Sequence, residues 1–425
     1  MMKYLNTVVL FLLVLGGCGS RQIVVPEEAV VLVNGRVIDG SGRSPIPDGI
    51  VVIKGARIHA VGVRGDFLIP EGVRVIDARG GSILPGIINS HTHSPADAEG
   101  RREFLLEGVT TVGNVGQRLD QLDEFEPEST NDGPSARAYW AGPIITAPGG
   151  YPGPVYGFEY CWEVATASEG RDAVADLLDR GASMIKIALA PGDPRNPWPV
   201  LDLERVQAIV DEAHAGGVLV RAHVFEPYLV EDIVLPAGVD AIEHMPFPIL
   251  TEEEETSVLE AADPCTQLFE VAATEYDSLL QRLVEQDVVI VPTLDQLVGR
   301  LYEKPEKTAV EQIVIDVHLE TVRRFHALGG RVALGNDYAN VGIEAGMPIM
   351  EMTLLVEAGL TPLSVIEAST REAAVVCGQR KTLGTLEPGK LADVIVVAGD
   401  PLQDIQAMRE VVVVIKGGEL AYSKD

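Results

Sequence analysis

The stretch Leu84-Pro85-Gly86-Ile87-Ile88-Asn89-Ser90-His91-Thr92-His93 decides how the chain is read, because an apolar run there breaks off into two histidines one residue apart. Ile83–Asn89 predicts a buried strand, and alternate residues at its end face one side, so both imidazoles can converge on a metal ion. Seven more runs of the same texture follow: Thr110–Asn114, Arg137–Ala141, Met184–Leu189, Val218–His223, Ala241–His244, Val288–Pro292 and Arg331–Asp337. Helical segments fall between them, among them Arg171–Asp179, Leu203–Ala215 and Glu311–Leu328. Near-continuous apolar strands alternating with helices predict an α/β fold, a closed parallel (β/α)8 TIM barrel over residues 83–381. Barrels of this kind carry their chemistry at the C-terminal ends of the strands.

The unusual residues lie at those ends. Lys186 interrupts the apolar run Met184-Ile185-Lys186-Ile187-Ala188-Leu189, and a buried ammonium is costly unless paired or neutralised. Two readings stay open: an ion pair with a buried carboxylate, or a neutral amine that takes up carbon dioxide as a metal-bridging carbamate. His223 ends the fifth strand and His244 the sixth, and imidazole is the favoured zinc ligand. Asp337 ends the eighth, where a carboxylate can bind metal and also accept a proton from water. His59, His214, His318 and His326 end no barrel strand and read as structural or surface residues.

Outward from the barrel, β-branched runs occur at both ends of the chain. Ala29–Val33, Arg36–Ile38, Ile50–Ile53, Arg57–Val61 and Val73–Asp77 precede it, with turn signals at Asn34-Gly35 and Lys54-Gly55. Asp393–Val397 and Val411–Lys416 follow it. A composite β-sandwich domain built from residues 29–82 and 382–422, interrupted by the barrel, accounts for this order.

With 63 acidic against 33 basic residues the net charge is −30, which excludes nucleic acid as a partner because a phosphate backbone would be repelled. The runs Glu252–Glu255 and Asp120–Glu128 read as solvated faces or loops. Assembly into a homo-oligomer is compatible with the sequence. At the N-terminus Lys3 precedes the apolar run Val8–Leu15, too short to span a bilayer and suited to a signal peptide over residues 1–17. The following Leu15-Gly16-Gly17-Cys18-Gly19-Ser20 resembles a bacterial lipobox. That resemblance implies acylation of Cys18 and a lipid-anchored protein on the periplasmic face of the outer membrane or at the cell surface. Cys161, Cys265 and Cys377 match no zinc spacing, and their disulfide state is open.

Taken with its setting, the first-strand segment resembles the signature of the amidohydrolase superfamily. Leu383-Gly384-Thr385-Leu386-Glu387-Pro388-Gly389-Lys390-Leu391-Ala392-Asp393 is similar to that family's return into the β domain, and Gly359-Leu360-Thr361-Pro362 and Ala368-Ser369-Thr370 to the helices before it. The resemblance implies that His91 and His93 hold one of two zinc ions together with Asp337, that His223 and His244 hold the other, and that a carbamate on Lys186 bridges them. It further implies that a hydroxide shared by the ions attacks a carbonyl, with His223 or His244 beside the polarised oxygen and Asp337 carrying the proton to the leaving nitrogen. The expected activity is hydrolysis of a C–N bond in a small amide, peptide or cyclic amide. Lactone or ester hydrolysis on the same site is the alternative, deamination is disfavoured by Lys186, and a non-catalytic ligand-binding lipoprotein is the reading from another class.

Ile185-Lys186, Ala222-His223 and Ile242-Glu243-His244-Met245 look most like the imidazolonepropionase-like and Xaa-Pro dipeptidase-like branch. Two positions depart from it. Gly149-Gly150-Tyr151 stands where that branch often has Gly-Gly-His, and Phe225 where it often has Tyr, so dipeptide specificity is not carried over. Tyr151, Phe225, Arg221 and Tyr338 are the substrate-pocket candidates.

Overall fold

The computed structural model describes residues 22–93, 99–124, 133–247, 261 and 263–424. The expected signal peptide at 1–17, the lipidation site Cys18, the run Glu252–Glu255 and the end of the run Asp120–Glu128 lie outside the described residues.

Two layers of structure part at Gly86. Ser82–Pro85, before it, pairs antiparallel with Val394–Val397, Leu84 opposite Ile395. Ile87–Thr92 (β1), after it, pairs parallel with Val109–Asn114 (β2), Ile88 opposite Thr111. A Cβ on residue 86 would lie 2.2 Å from Thr110 Oγ1, so this crossing requires glycine. The single strand expected over Ile83–Asn89 is therefore two strands in two sheets.

Arg137–Trp140 (β3) continues the parallel order, Trp140 opposite Asn114. After a bend at Gly142 the chain resumes as Ile144–Thr146, which lies parallel to Met184–Leu189 (β4) with Ile145 opposite Ile187. Leu219–Val224 (β5), Ala241–Glu243 (β6), Val289–Val291 (β7) and Arg331–Val332 (β8) follow, each parallel to the one before. Beyond β8 the chain leaves β7 for β1: Ser90 N–H donates to Leu334 C=O at 3.0 Å and Asp337 N–H to His91 C=O at 3.0 Å. Every residue of β4 is buried, as a parallel strand covered on both faces must be.

Helices cover the outer face. Ala167–Asp179 opens ahead of the expected Arg171 because Thr166 and Glu169 form a reciprocal capping box that satisfies two orphan N–H groups. Leu203–Ala215 starts from Asp202, whose carboxylate accepts from Arg205 N–H, and Ala309–Ala327 from a second capping box, Thr308 with Glu311. Ala173, Val174 and Leu177 on the first and Val206, Ile209 and Ala213 on the second share one apolar core with the parallel strands.

Both chain ends enter one eight-stranded sheet, ordered Glu419–Ser423, Val411–Lys416, Val394–Val397, Ser82–Pro85, Val30–Val37, Ile46–Lys54 and Arg57–Val63, with Arg74–Asp77 beside Val30–Val37. Side chains alternate between two cores: Leu32, Val37, Val51 and Ile53 pack with Val394, Val396 and Ile415, while Val31, Val33, Ile50 and Val52 pack with Phe67. Lys54-Gly55 is the expected hairpin turn, Lys54 pairing with Arg57. Asn34-Gly35 is not a turn. Asn34 takes a left-handed φ of 58° and the register shifts between Leu32 and Gly35, so the two strands expected at Ala29–Val33 and Arg36–Ile38 are one strand with a bulge. Cys161, Cys265 and Cys377 are all free thiols, and no described helix is long and apolar enough to cross a membrane.

Candidate metal centre

His91 and His93 stand at alternate positions at the end of β1 and present their Nε2 atoms to the same oxygen. Each Nε2 lies 3.2 Å from Asp337 Oδ1. Their other nitrogens are committed elsewhere: His91 Nδ1–H donates to Glu243 Oε2 at 2.5 Å and His93 Nδ1–H to the Gly116 carbonyl at 3.2 Å. Those bonds orient both rings and, in the neutral imidazoles, leave each Nε2 as a lone pair. Asp337 Oδ1 is buried and receives no hydrogen bond from the described residues. Three ligand residues thus meet, their ligand atoms all within 4.8 Å of one another, and the donor set suits a divalent cation.

The second pair sits beside the first. His244 Nε2 is 2.9 Å from His223 Nδ1, and His244 Nδ1 is 2.7 Å from Thr293 Oγ1. Burial drives both imidazoles towards the neutral form that binds metal. His223 falls well below its ordinary pKa, the His244 ring adding to the effect of burial, and His244 falls to about 3. For His91 burial acts in the same direction, but the carboxylates of Glu243 and Asp337 outweigh it and raise the pKa. His244, Thr293 and Asp337 all hold left-handed φ, at 65°, 50° and 62°, although none is glycine. Each such residue costs about 1–3 kcal/mol, a strain that the surrounding packing has to offset.

Lys186 is 2% exposed and its Nζ makes no hydrogen bond; the nearest carboxylate oxygen, Glu243 Oε1, is 3.5 Å away. Burial lowers its pKa to about 8 against the pull of Glu243. Glu243 is itself fully buried, and its ionised form prevails against that burial because Arg221, Lys186 and His91 all face it. Arg221 donates from Nε to Glu243 Oε1 at 2.6 Å and from Nη1 to the Ser90 carbonyl at 2.9 Å.

His91, His93, Lys186, His223, His244 and Asp337 all line one cavity of about 430 Å³, and Tyr151 and Phe225 line it with them. The other two pocket candidates are corrected. Arg221 is fully buried and absent from the cavity wall: strand alternation puts it on the same face as His223 but one layer deeper, where its charge is held by Glu243. Tyr338 follows the left-handed turn at Asp337 and packs edge-on against Phe104, ring centroids 5.0 Å apart, away from the cavity.

The residue reading overlooked Glu243, although an acid in the apolar stretch Ala241-Ile242-Glu243 carries the same signal that singled out Lys186. It also overlooked Tyr156, Tyr160 and Gln296, wall residues from single helical turns, and Asn340 from a loop, all without a local signature. Beneath the site Asn89 Nδ2 donates to Asn336 Oδ1 at 2.7 Å, Asn336 Nδ2 to Asp295 Oδ2 at 3.4 Å, and Asp295 N–H to Glu351 Oε2 at 2.7 Å. Burial raises the Asp295 carboxyl to about 6 and Glu351 well above the usual range.

Residues 82–421 match the amidohydrolase family. The ochratoxinase of Aspergillus niger is 28% identical over 297 residues, covering 66% of this chain and 52% of that protein, so the chain spans about half the length of this relative. The imidazolonepropionase of Symbiobacterium thermophilum is 26% identical over 408 residues, covering 83% of this chain and 84% of that one. Among solved structures, a Xaa-Pro dipeptidase with methionine bound in its active site superposes with a TM-score of 0.71 at 24% identity, over 93% of this chain and 100% of that one, a likeness of fold.

Proposed function

The chain belongs to the amidohydrolase family, and from that premise we propose that it is a metal-dependent hydrolase of a C–N bond in a small amide, peptide or cyclic amide. The observation that carries the reading is the convergence of His91 Nε2, His93 Nε2 and Asp337 Oδ1, three potential metal-ligand atoms on the wall of one cavity. We read the parallel strands as a closed (β/α)8 barrel over 83–381 and the end sheet, with its two cores, as a composite β-sandwich over 29–82 and 382–422.

His91, His93 and Asp337 would hold one ion, His223 and His244 a second, both assigned as zinc. Lys186 would stand between them as a carbamate. Its burial favours the free amine, which adds to carbon dioxide and releases one proton, giving an anion in place of a cation. When bound, the ions supply Lewis acidity towards the carbonyl and a nucleophilic water at neutral pH. The rest is work for this chain's side chains. Asp337 Oδ1, held ionised by His91 and His93, accepts the proton of the attacking water and returns it to the departing nitrogen. His223 and His244 stay neutral, and Thr293 holds the His244 ring in place. Glu243 fixes the tautomer of His91. Tyr151 and Phe225 shield the reacting carbonyl from bulk water.

Metal content per chain tests the reading. Wild type grown with zinc and bicarbonate should carry about two ions and Lys186→Ala one or none. One ion in both proteins would remove the bridging carbamate and bring deamination forward; none in either would leave a binding protein. The export reading, lipid anchorage through Cys18, has its own test: labelled palmitate should be incorporated by wild type and not by Cys18→Ser.

A further inference from the structure

The aromatic cavity wall bears on which amide is cut. Tyr151 and Phe225 each lie flat on one histidine of the second pair, at 4.5 and 4.8 Å between ring centroids. Each stack continues outward, Tyr151 to Trp198 at 6.3 Å and Phe225 to Phe247 at 6.1 Å. Aromatic residues make up only 5% of the chain, yet three of its 10 tyrosines, Tyr151, Tyr156 and Tyr160, line this one cavity. Tyr156 is 56% exposed and stands beside two other exposed apolar side chains, Val155 and Phe158, so apolar surface extends from the wall into solvent. A volume of about 430 Å³ readily admits an aromatic ring with its amide.

Charge completes the case. Lys186 is the one lysine or arginine on the described wall. Arg221 is spent on Glu243 below it, and Arg118, close in sequence to the wall residue Gly116, is held in a two-point pair by Asp120 at 2.9 and 2.7 Å. The segments 94–98, 125–132 and 248–260 contain no lysine or arginine and carry Asp97, Glu126, Glu128, Asp132 and Glu252 to Glu255 among others. Whatever their course, they bring no cation to a substrate carboxylate. Beyond the ions themselves such a carboxylate would meet no cationic side chain free to pair with it on the described wall, and it would approach against the net charge of −30.

We infer that the substrate is an uncharged amide with an aromatic ring next to the scissile bond, received between Tyr151 and Phe225, and that amides bearing a free carboxylate are rejected. The inference rests on the hydrolase reading and names its substrate class. In the reaction the C–N bond breaks, the oxygen of water joins the carbonyl carbon and a proton passes to nitrogen, so an aryl amide yields one acid and one amine.

The test uses the zinc-loaded full chain with acetanilide and N-methylbenzamide, their para-carboxylate derivatives, and N-butylacetamide, measuring both turnover and calorimetric binding. At least one neutral aromatic amide should exceed its carboxylate derivative and N-butylacetamide by tenfold or more in kcat/KM and in affinity. Phe225→Leu should shrink the aromatic-to-aliphatic ratio severalfold, with Tyr151→Leu as the second variant should the first not fold. Equal or better use of the carboxylates, or preference for N-butylacetamide, overturns the inference and leaves the hydrolase intact. If no amide is hydrolysed the hydrolase reading fails, and binding still decides: no preference for the neutral aromatic compounds overturns the inference as well.

Discussion

Tyr151 lies flat on His223, their ring centroids 4.5 Å apart and their planes 24° from parallel. A side chain from the irregular segment after Ile144–Thr146 thereby sets the position of an imidazole at the end of β5, and one ring both walls the cavity and orders a candidate ligand. An aromatic pair of this kind contributes about 0.5–1.5 kcal/mol beyond the area it buries. Tyr151→Ala should therefore lower kcat/KM by about two- to tenfold, with metal content falling far less than it does in His223→Ala. Kinetics and elemental analysis on the two variants check the contrast. Equal metal loss in both would show that Tyr151 acts only by holding His223.

Glu243 is the electrostatic centre beneath the site, facing His91, Lys186 and Arg221 at once. Glu243→Gln leaves the Arg221 guanidinium buried without its counter-charge, and breaking such a pair costs about 3–5 kcal/mol. Urea unfolding should show that loss, with a drop in bound metal as His91 loses its orienting acceptor. In the double variant Glu243→Gln/Arg221→Met much of the stability should return and the metal should not. Recovery of both would reduce Glu243 to a purely structural partner.

Lys186 makes the opposite prediction for stability. Its Nζ is buried without a hydrogen bond, and Arg221 already neutralises Glu243. The metal-free Lys186→Met protein should be at least as stable as metal-free wild type, while zinc-dependent stabilisation falls. Denaturation curves with and without zinc report both terms. A variant destabilised by several kcal/mol without metal would mean that the Glu243 ion pair is the real task of the lysine.

Asp295 makes stability depend on pH. Its carboxyl is raised to about 6 by burial, so the folded chain binds a proton that the unfolded chain has released between about pH 4 and 6. Stability from this group is full below the unfolded pKa and is lost as pH rises through the folded one. Asp295→Asn should match wild type near pH 4 and exceed it by roughly 1–3 kcal/mol at pH 7. Urea midpoints across that range decide it; parallel curves for the two proteins would exclude Asp295 as the source.

The sequence revealed most where physics is local and periodic. Eight apolar runs, histidines at their ends and a lysine inside one of them were enough to bring His91, His93, Lys186, His223, His244 and Asp337 to a common cavity, and there the structure puts all six. The helix start at Thr166 was equally readable, since Thr166 and Glu169 have capping-box spacing. Other features depended on tertiary context. Arg221 and His223 share a strand face, and nothing local tells which layer meets the cavity. Asn34-Gly35 has the composition of a hairpin turn and forms a bulge, because the pairing partner of Val30–Val37 continues past it. Tyr156, Tyr160 and Gln296 arrive from helical turns of three to five residues and Asn340 from a loop, all too short for periodicity to show.

Ser82–Pro85 lies between Val30–Val37 on one side and Val394–Val397 on the other. Its second neighbour is roughly 300 residues away along the chain, a contact that closes late and slowly in folding. During synthesis the N-terminal strands can pair among themselves, but the edge that takes Val394–Val397 stays open until nearly all of the parallel α/β section has emerged. Until then this exposed edge is a template on which another nascent chain can add a strand. Ranked by the harm they do to yield, C-terminal truncations that remove Val394–Val397 should come before deletions of equal length in the surface segments, and the product should be aggregate and not a smaller soluble enzyme.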